Sequence, residues 1–204
     1  DGNKLKKKIS YIFFMTKKTI DNTGREFHPS EVGGCASHLK VYRYMIKNKI
    51  KKAVIMEDDA YPSSKLKDWI NKDYELEKNT ILGFYAYPTE GLINKKPYKN
   101  FSDINLNIHI ASTQLCNCSC YQIDLDTCRK IIKLTNNKVS YYADWPFSRL
   151  KHNIKIAITI PFLVVIDDQN TISLHQLRER IFGENTFQKF GTKRKSMLSI
   201  GWIR

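Results

Sequence analysis

Lys52-Ala53-Val54-Ile55-Met56-Glu57-Asp58-Asp59 is the stretch on which the reading of this chain turns. A short apolar run that ends abruptly in three carboxylates is how a buried strand delivers polar residues to the edge of a sheet. The strand is expected to stop at Glu57 or Asp58. Upstream, Pro29 to Ile50 predicts a helix, with Ser30 as N-cap, Glu31 in the first turn, and Leu39, Tyr42, Met45, Ile46 and Ile50 at helical spacing. Gly33 and Gly34 weaken the start of that helix, and suit a place where another backbone or a ligand comes close.

Downstream, Ser64 to Asn71 predicts a short helix and Thr80 to Ala86 a β-branched and aromatic strand, whereas the polar, basic segment from Gly91 to Asn107 reads as loop. Strands follow from Ile108 through Ile110 and from Leu115 to Ile123. Asp124 then caps a helix from Leu125 to Leu134 that turns Cys128, Ile131 and Ile132 inward. Asp144 before Trp145-Pro146 opens a further helix, Ile154 to Ile160 and Phe162 to Val165 are strands, and Ser173 to Phe182 is helical. Strands alternating with helices predict an α/β domain with a mixed, largely parallel sheet flanked by helices. Residues 1–177 are assigned to this single domain and residues 178–204 to a basic C-terminal helix or tail.

The bulk properties bound the function. The chain has 204 residues, 42% hydrophobic and 12% aromatic, enough for one substantial core. Its longest apolar runs, such as Ile158 to Ile166 with Pro161 inside, are too short to cross a bilayer, and no signal-peptide pattern opens the chain. A start at Asp1 without Met suggests a processed form or a piece of something longer. Five cysteines, three of them crowded into Cys116-Asn117-Cys118-Ser119-Cys120, form no secreted disulfide framework, which leads us to expect a reducing, cytoplasmic setting.

A net charge of +14 attracts phosphate-bearing molecules and anionic surfaces. The basic residues lie in scattered short runs, with no zinc finger, basic-region helix or aromatic RNA-binding sheet motif, so nucleic acid is the least favoured partner. The segment from Arg178 to Arg204 carries seven basic residues against Glu179 and Glu184, interleaved with aromatic and aliphatic side chains. It suits peripheral contact with an anionic membrane, and equally a solvated tail.

Adjacent carboxylates at the carboxyl end of a buried strand sit where open α/β sheets bind their ligands. Mg²⁺ and Mn²⁺ prefer oxygen donors and are commonly held by one or two carboxylates together with substrate phosphates. Taken alone, Glu57-Asp58-Asp59 divides evenly between such a site and a solvated acidic turn. Its neighbourhood tips the balance. Glu31-Val32-Gly33-Gly34-Cys35-Ala36-Ser37-His38, a helix, and then Ala53-Val54-Ile55-Met56-Glu57-Asp58-Asp59 resemble, in order and spacing, the motifs of glycosyltransferase family 25, which includes lipooligosaccharide hexosyltransferases and collagen galactosyltransferases. Tyr142-Ala143-Asp144-Trp145 and Pro161-Phe162-Leu163-Val164 with Ser173 resemble later family elements more loosely. Ser30 stands where members usually have Gly, and Cys118 to Cys120 lie where many have a small, Gly-containing strand start.

The resemblance implies a GT-A-like, Rossmann-like fold, and a chain that lacks the family's N-terminal strand. It also implies a UDP-sugar donor, a glycan or glycolipid acceptor, and Mn²⁺ or Mg²⁺ between the carboxylates and the diphosphate. A metal on Asp58 and Asp59 neutralises the charge that grows on the leaving diphosphate, with Glu57 orienting the strand end. Inverting transfer also needs a base for the acceptor hydroxyl: Asp144 is the first candidate, against a plain helix N-cap, and Glu31 the second, against a first-turn glutamate serving its own helix. His38 is a candidate for the donor phosphates or sugar, against a satisfied packing histidine. His175 is a candidate additional metal ligand. Cys116, Cys118 and Cys120 alternate and are expected to place three thiols on one face. Zinc and buried core packing compete for them, and the missing two-residue spacers favour packing.

Overall fold

The computed structural model describes residue 27 and residues 29–85, 96–111, 118–136, 139 and 153–166, all of which fall within one compact unit, Asp1–Asp167. Helix α1 spans Pro29–Lys47. It begins at Pro29, so Ser30 lies inside it rather than capping it. Proline is at home in a first turn, where its missing N–H has no partner to lose. The stripe Val32, Cys35, Leu39, Tyr42 and Met45, spaced three or four apart, is buried. Among the described residues none makes the expected close approach at Gly34, since a Cβ built there meets nothing within 4 Å.

Strand β1 is Lys52–Met56 and β2 is Ala60–Pro62, so the acidic triplet is the connection between them. Helix α2 covers Ser64–Lys72 and β3 covers Thr80–Gly83. The segment expected as loop is more ordered than its polarity suggested. It carries β4 at Lys99–Phe101, a 3-10 turn at Ser102–Ile104 and the start of β5, Leu106–Ile110. β4 is an edge strand whose Lys99 and Asn100 are exposed, and only Phe101 enters the core. An edge strand facing water has little apolar alternation to betray it. Strand β6, Cys120–Asp124, leads into α3, Leu125–Thr135, where the Asp124 carboxylate accepts a hydrogen bond from Thr127 N at 2.7 Å as the expected N-cap. Strands β7, Lys155–Ile160, and β8, Val164–Ile166, complete the set.

The main sheet has six strands in the order β1-β6-β3-β7-β5-β4, and β2 pairs with β8 in a separate ribbon. The α/β architecture and the mixed sheet match expectation, but the parallel share is smaller. Among the described residues only β3 and β7 pair in parallel; β1·β6, β6·β3, β7·β5 and β5·β4 are antiparallel. The alternation of strands and helices in sequence does not specify which strands become neighbours, and β6 enters between β1 and β3 in the opposite sense.

Alternate residues feed two cores. Ile81, Tyr121, Ile123, Ile156 and Ile158 pack with α1 and α3, whereas Leu82, Cys120 and Ala157 pack with α2 through Leu66 and Trp69. Helices thus cover both faces, as a sheet with two apolar faces requires. No helix of the described residues is long and apolar enough to cross a membrane.

Candidate active site at the carboxyl edge of the sheet

The pairing senses put the carboxyl ends of β1, β3 and β7 on the same edge of the main sheet, together with the amino end of β6. Helix α1 runs back toward the start of β1, which leaves its own first half, Glu31 to His38, at that edge too. The segment Glu31–His38 and the acidic triplet, separated by a whole helix in sequence, therefore meet. The contact is direct: His38 Nε2 lies 2.9 Å from Glu57 Oε1.

The three carboxylates part company at the strand end. Glu57 N donates to Ser119 O at 2.7 Å, which extends the β1·β6 ladder by one bond and turns the Glu57 side chain inward. Asp58 and Asp59 form the turn that Ala60 N closes onto Glu57 O at 3.3 Å, with Asp58 exposed and Asp59 half-buried. Burial pushes the Glu57 carboxyl up, but hydrogen bonds from His38, Cys118 and Ser119 outweigh it and leave it below the ordinary glutamate range. Glu57 is a carboxylate at neutral pH.

His38 is 8% exposed and spanned on both nitrogens. Its Nδ1 shares a 2.7 Å hydrogen bond with the Tyr121 hydroxyl, which is 2.8 Å from the Tyr42 hydroxyl. Burial holds both phenols protonated, well above the usual tyrosine range. Cys118 completes the group: its thiol donates to Glu57 Oε1 at 3.3 Å and sits 3.5 Å from His38 Nε2. The expectation that Cys118 and Cys120 share a face fails. Cys118 precedes the strand at the Ser119 bend and packs with α1, whereas Cys120 opens β6 on the α2 side. Among the described residues, Cys35, Cys118, Cys120 and Cys128 are all buried free thiols.

The arrangement brings together His38, Glu57, Asp58 and Asp59 among the sequence-derived candidates. Glu31 is buried, 6% exposed, in the first part of α1. Asp144, His175, Cys116 and the 178–204 segment lie outside the described residues. Sequence reading missed Tyr42 and Tyr121 as partners of His38. Tyr42 had a signal, since it stands one helical turn after His38 on the same face; Tyr121 had none.

The donor set splits by chemistry. Asp58 and Asp59 offer hard oxygen atoms from a turn at the open edge, and His38, Glu57 and Cys118 form a mixed nitrogen, oxygen and sulfur group beneath them. Such an edge, with backbone turns and carboxylates at strand ends, is where open α/β folds do their binding. The family model for glycosyltransferase family 25 (LPS biosynthesis protein) matches residues 1–145, taking in Glu31, His38, the triplet, Cys118 and Asp144. No curated protein matches the chain. With that match over more than half its length, and with the family-like segments joined at one sheet edge, the chain belongs to glycosyltransferase family 25, a family of lipopolysaccharide-biosynthesis glycosyltransferases.

Proposed function

We propose that the chain transfers a hexose, with galactose favoured and glucose next, from a UDP-sugar to a lipooligosaccharide or other glycan acceptor, with inversion at the sugar carbon. The observation that carries this reading is the division at the end of β1. Glu57 is tied inward to His38, while Asp58 and Asp59 are left on the turn at the open edge. Two neighbouring hard-oxygen donors, one exposed and one half-buried, fit a divalent cation that shares its remaining positions with a diphosphate and water. Asp58 and Asp59 are the residues that would hold Mn²⁺ or Mg²⁺, and the ion would supply Lewis-acid neutralisation of the departing diphosphate.

The remaining work falls to the protein. Glu57, held by His38, Cys118 and Ser119, fixes the turn so that the two aspartates are placed before the donor arrives. Gly34 leaves open space on the first half of α1, at the same edge, where a nucleotide or sugar can approach the helix backbone. Asp144 is assigned the removal of the acceptor proton, because the buried Glu31 is poorly placed to meet a hydroxyl arriving from solvent.

The test is calorimetric titration and turnover with UDP-galactose and UDP-glucose, with and without Mn²⁺. Metal-dependent binding and transfer are expected for the parent, and Asp59→Asn should lose the metal-dependent part of donor binding. A parent that binds no sugar nucleotide under either condition overturns the assignment, and an Asp59→Asn variant equal to the parent overturns the metal role of the turn.

A further inference from the structure

Beneath the proposed donor site, three residues from three separate elements bring their ligating atoms together. They are His38 from α1, Glu57 from the end of β1 and Cys118 from the approach to β6, and their candidate ligand atoms lie within 4.8 Å of one another. The closest atoms form a triangle with sides of 2.9 Å (His38 Nε2 to Glu57 Oε1), 3.3 Å (Cys118 Sγ to Glu57 Oε1) and 3.5 Å (Cys118 Sγ to His38 Nε2). A tetrahedral zinc with Zn–N and Zn–O near 2.0 Å and Zn–S near 2.3 Å has ligand-to-ligand edges of about 3.3 to 3.6 Å. Opening the His38–Glu57 edge by about 0.4 Å and the Cys118–Glu57 edge by about 0.2 Å meets that geometry. We propose that His38, Glu57 and Cys118 form a binding site for a borderline transition-metal ion, Zn²⁺ by preference, distinct in chemistry from the all-oxygen site at Asp58 and Asp59.

Three features support the assignment. The donor set of imidazole, thiolate and carboxylate is the one Zn²⁺ favours and Mn²⁺ or Mg²⁺ does not. The nitrogen that faces the group is Nε2, while Nδ1 faces the Tyr121 hydroxyl, itself bonded to Tyr42. A ligating histidine is normally held by such a partner on its other nitrogen, which fixes the ring; as the ion binds, the proton that Nε2 donates to Glu57 moves to Nδ1, where the Tyr121 hydroxyl accepts it, and Nε2 coordinates. The burial is graded: His38 and Cys118 are buried, and the Glu57 side chain is 38% exposed, so three ligands come from the protein and the fourth position faces the open edge. The thiol proton of Cys118 leaves to solvent as the ion binds, so affinity rises with pH. A bound ion joins α1, β1 and the start of β6 at one point, locking the turn that carries Asp58 and Asp59.

The experiment uses the full chain, stripped with chelator and titrated with Co²⁺ and then Zn²⁺ in the absence of any sugar nucleotide, so its outcome is independent of the transferase reading. One Co²⁺ per chain is expected, with an intense thiolate-to-cobalt charge-transfer band and tetrahedral d–d bands that Zn²⁺ bleaches. Cys118→Ser should lose the charge-transfer band and weaken Zn²⁺ binding more than tenfold. Cys120→Ser, which also removes a buried thiol but on the other side of the sheet, should keep both, and its circular dichroism shows whether thiol removal alone disturbs folding. A parent without the band, or a band that survives Cys118→Ser, overturns the site. Loss of the band in Cys120→Ser with native circular dichroism overturns it equally, because sulfur would then come from elsewhere.

Discussion

Tyr121→Phe removes a single oxygen atom, and the structure allows its cost to be worked out. The Tyr121 hydroxyl lies between His38 Nδ1 at 2.7 Å and the Tyr42 hydroxyl at 2.8 Å, and the three residues are 0%, 8% and 4% exposed for Tyr121, His38 and Tyr42. Water cannot take its place without opening the α1–sheet interface. The substitution therefore strands two buried polar groups, each costing about 1–3 kcal/mol, while recovering the desolvation of the deleted hydroxyl, for a net loss of about 2–3 kcal/mol. For a domain of this size that corresponds to a fall in Tm of about 4–12 °C. Tyr42→Phe is the comparison. It deletes the end of the chain of hydrogen bonds, leaves Tyr121 with His38, and should cost about 0.5–1.5 kcal/mol. Urea unfolding followed by circular dichroism in the presence of chelator measures both, and the double variant should lose less than the sum of the two singles. If Tyr121→Phe loses no more stability than Tyr42→Phe, the hydroxyl is not the link between helix and sheet and the account of how His38 is held is wrong.

The other expectations are more compact. Because the folded Glu57 carboxyl titrates below its unfolded value of about 4.3, the His38–Glu57 pairing contributes fully above that pH and is lost as the pH falls through the lower, folded value. In Glu57→Gln the acid limb of the stability profile should flatten, and an unchanged limb would assign acid sensitivity to other carboxylates. Gly34→Ala, whose added methyl meets no atom of the described residues within 4 Å, should raise helix stability by about 0.5–1 kcal/mol in the same unfolding assay. The same variant should weaken sugar-nucleotide binding if the open space on α1 receives the donor. Stabilisation without any loss of binding would remove Gly34 from the site.

The sequence alone determined the local pieces. Apolar spacing gave α1 nearly to its ends, an apolar run closed by carboxylates gave β1, which stops at Met56, one residue short of the Glu57 or Asp58 expected, and Asp124 announced α3 as its N-cap. These features are set by contacts within a few residues, so they are written in short periodicities. The sequence also held the family-like order of the Glu31–His38 segment and the triplet, which made the strand end a candidate site.

Only the tertiary structure decided where each of the three carboxylates lies. Whether a residue after a strand points into the fold or out of it depends on the neighbouring strand's register, and here the bond from Glu57 N to Ser119 O turns Glu57 inward and leaves Asp58 and Asp59 on the turn. The same register, with the bend at Ser119, separates Cys118 from Cys120 and delivers it to His38, 80 residues away. The largely parallel sheet expected from alternation gave way to a single parallel pair among the described residues, because β6 inserts antiparallel between β1 and β3. Strand order and sense are settled by which apolar faces close the core together, a non-local competition that leaves no periodic trace in the chain.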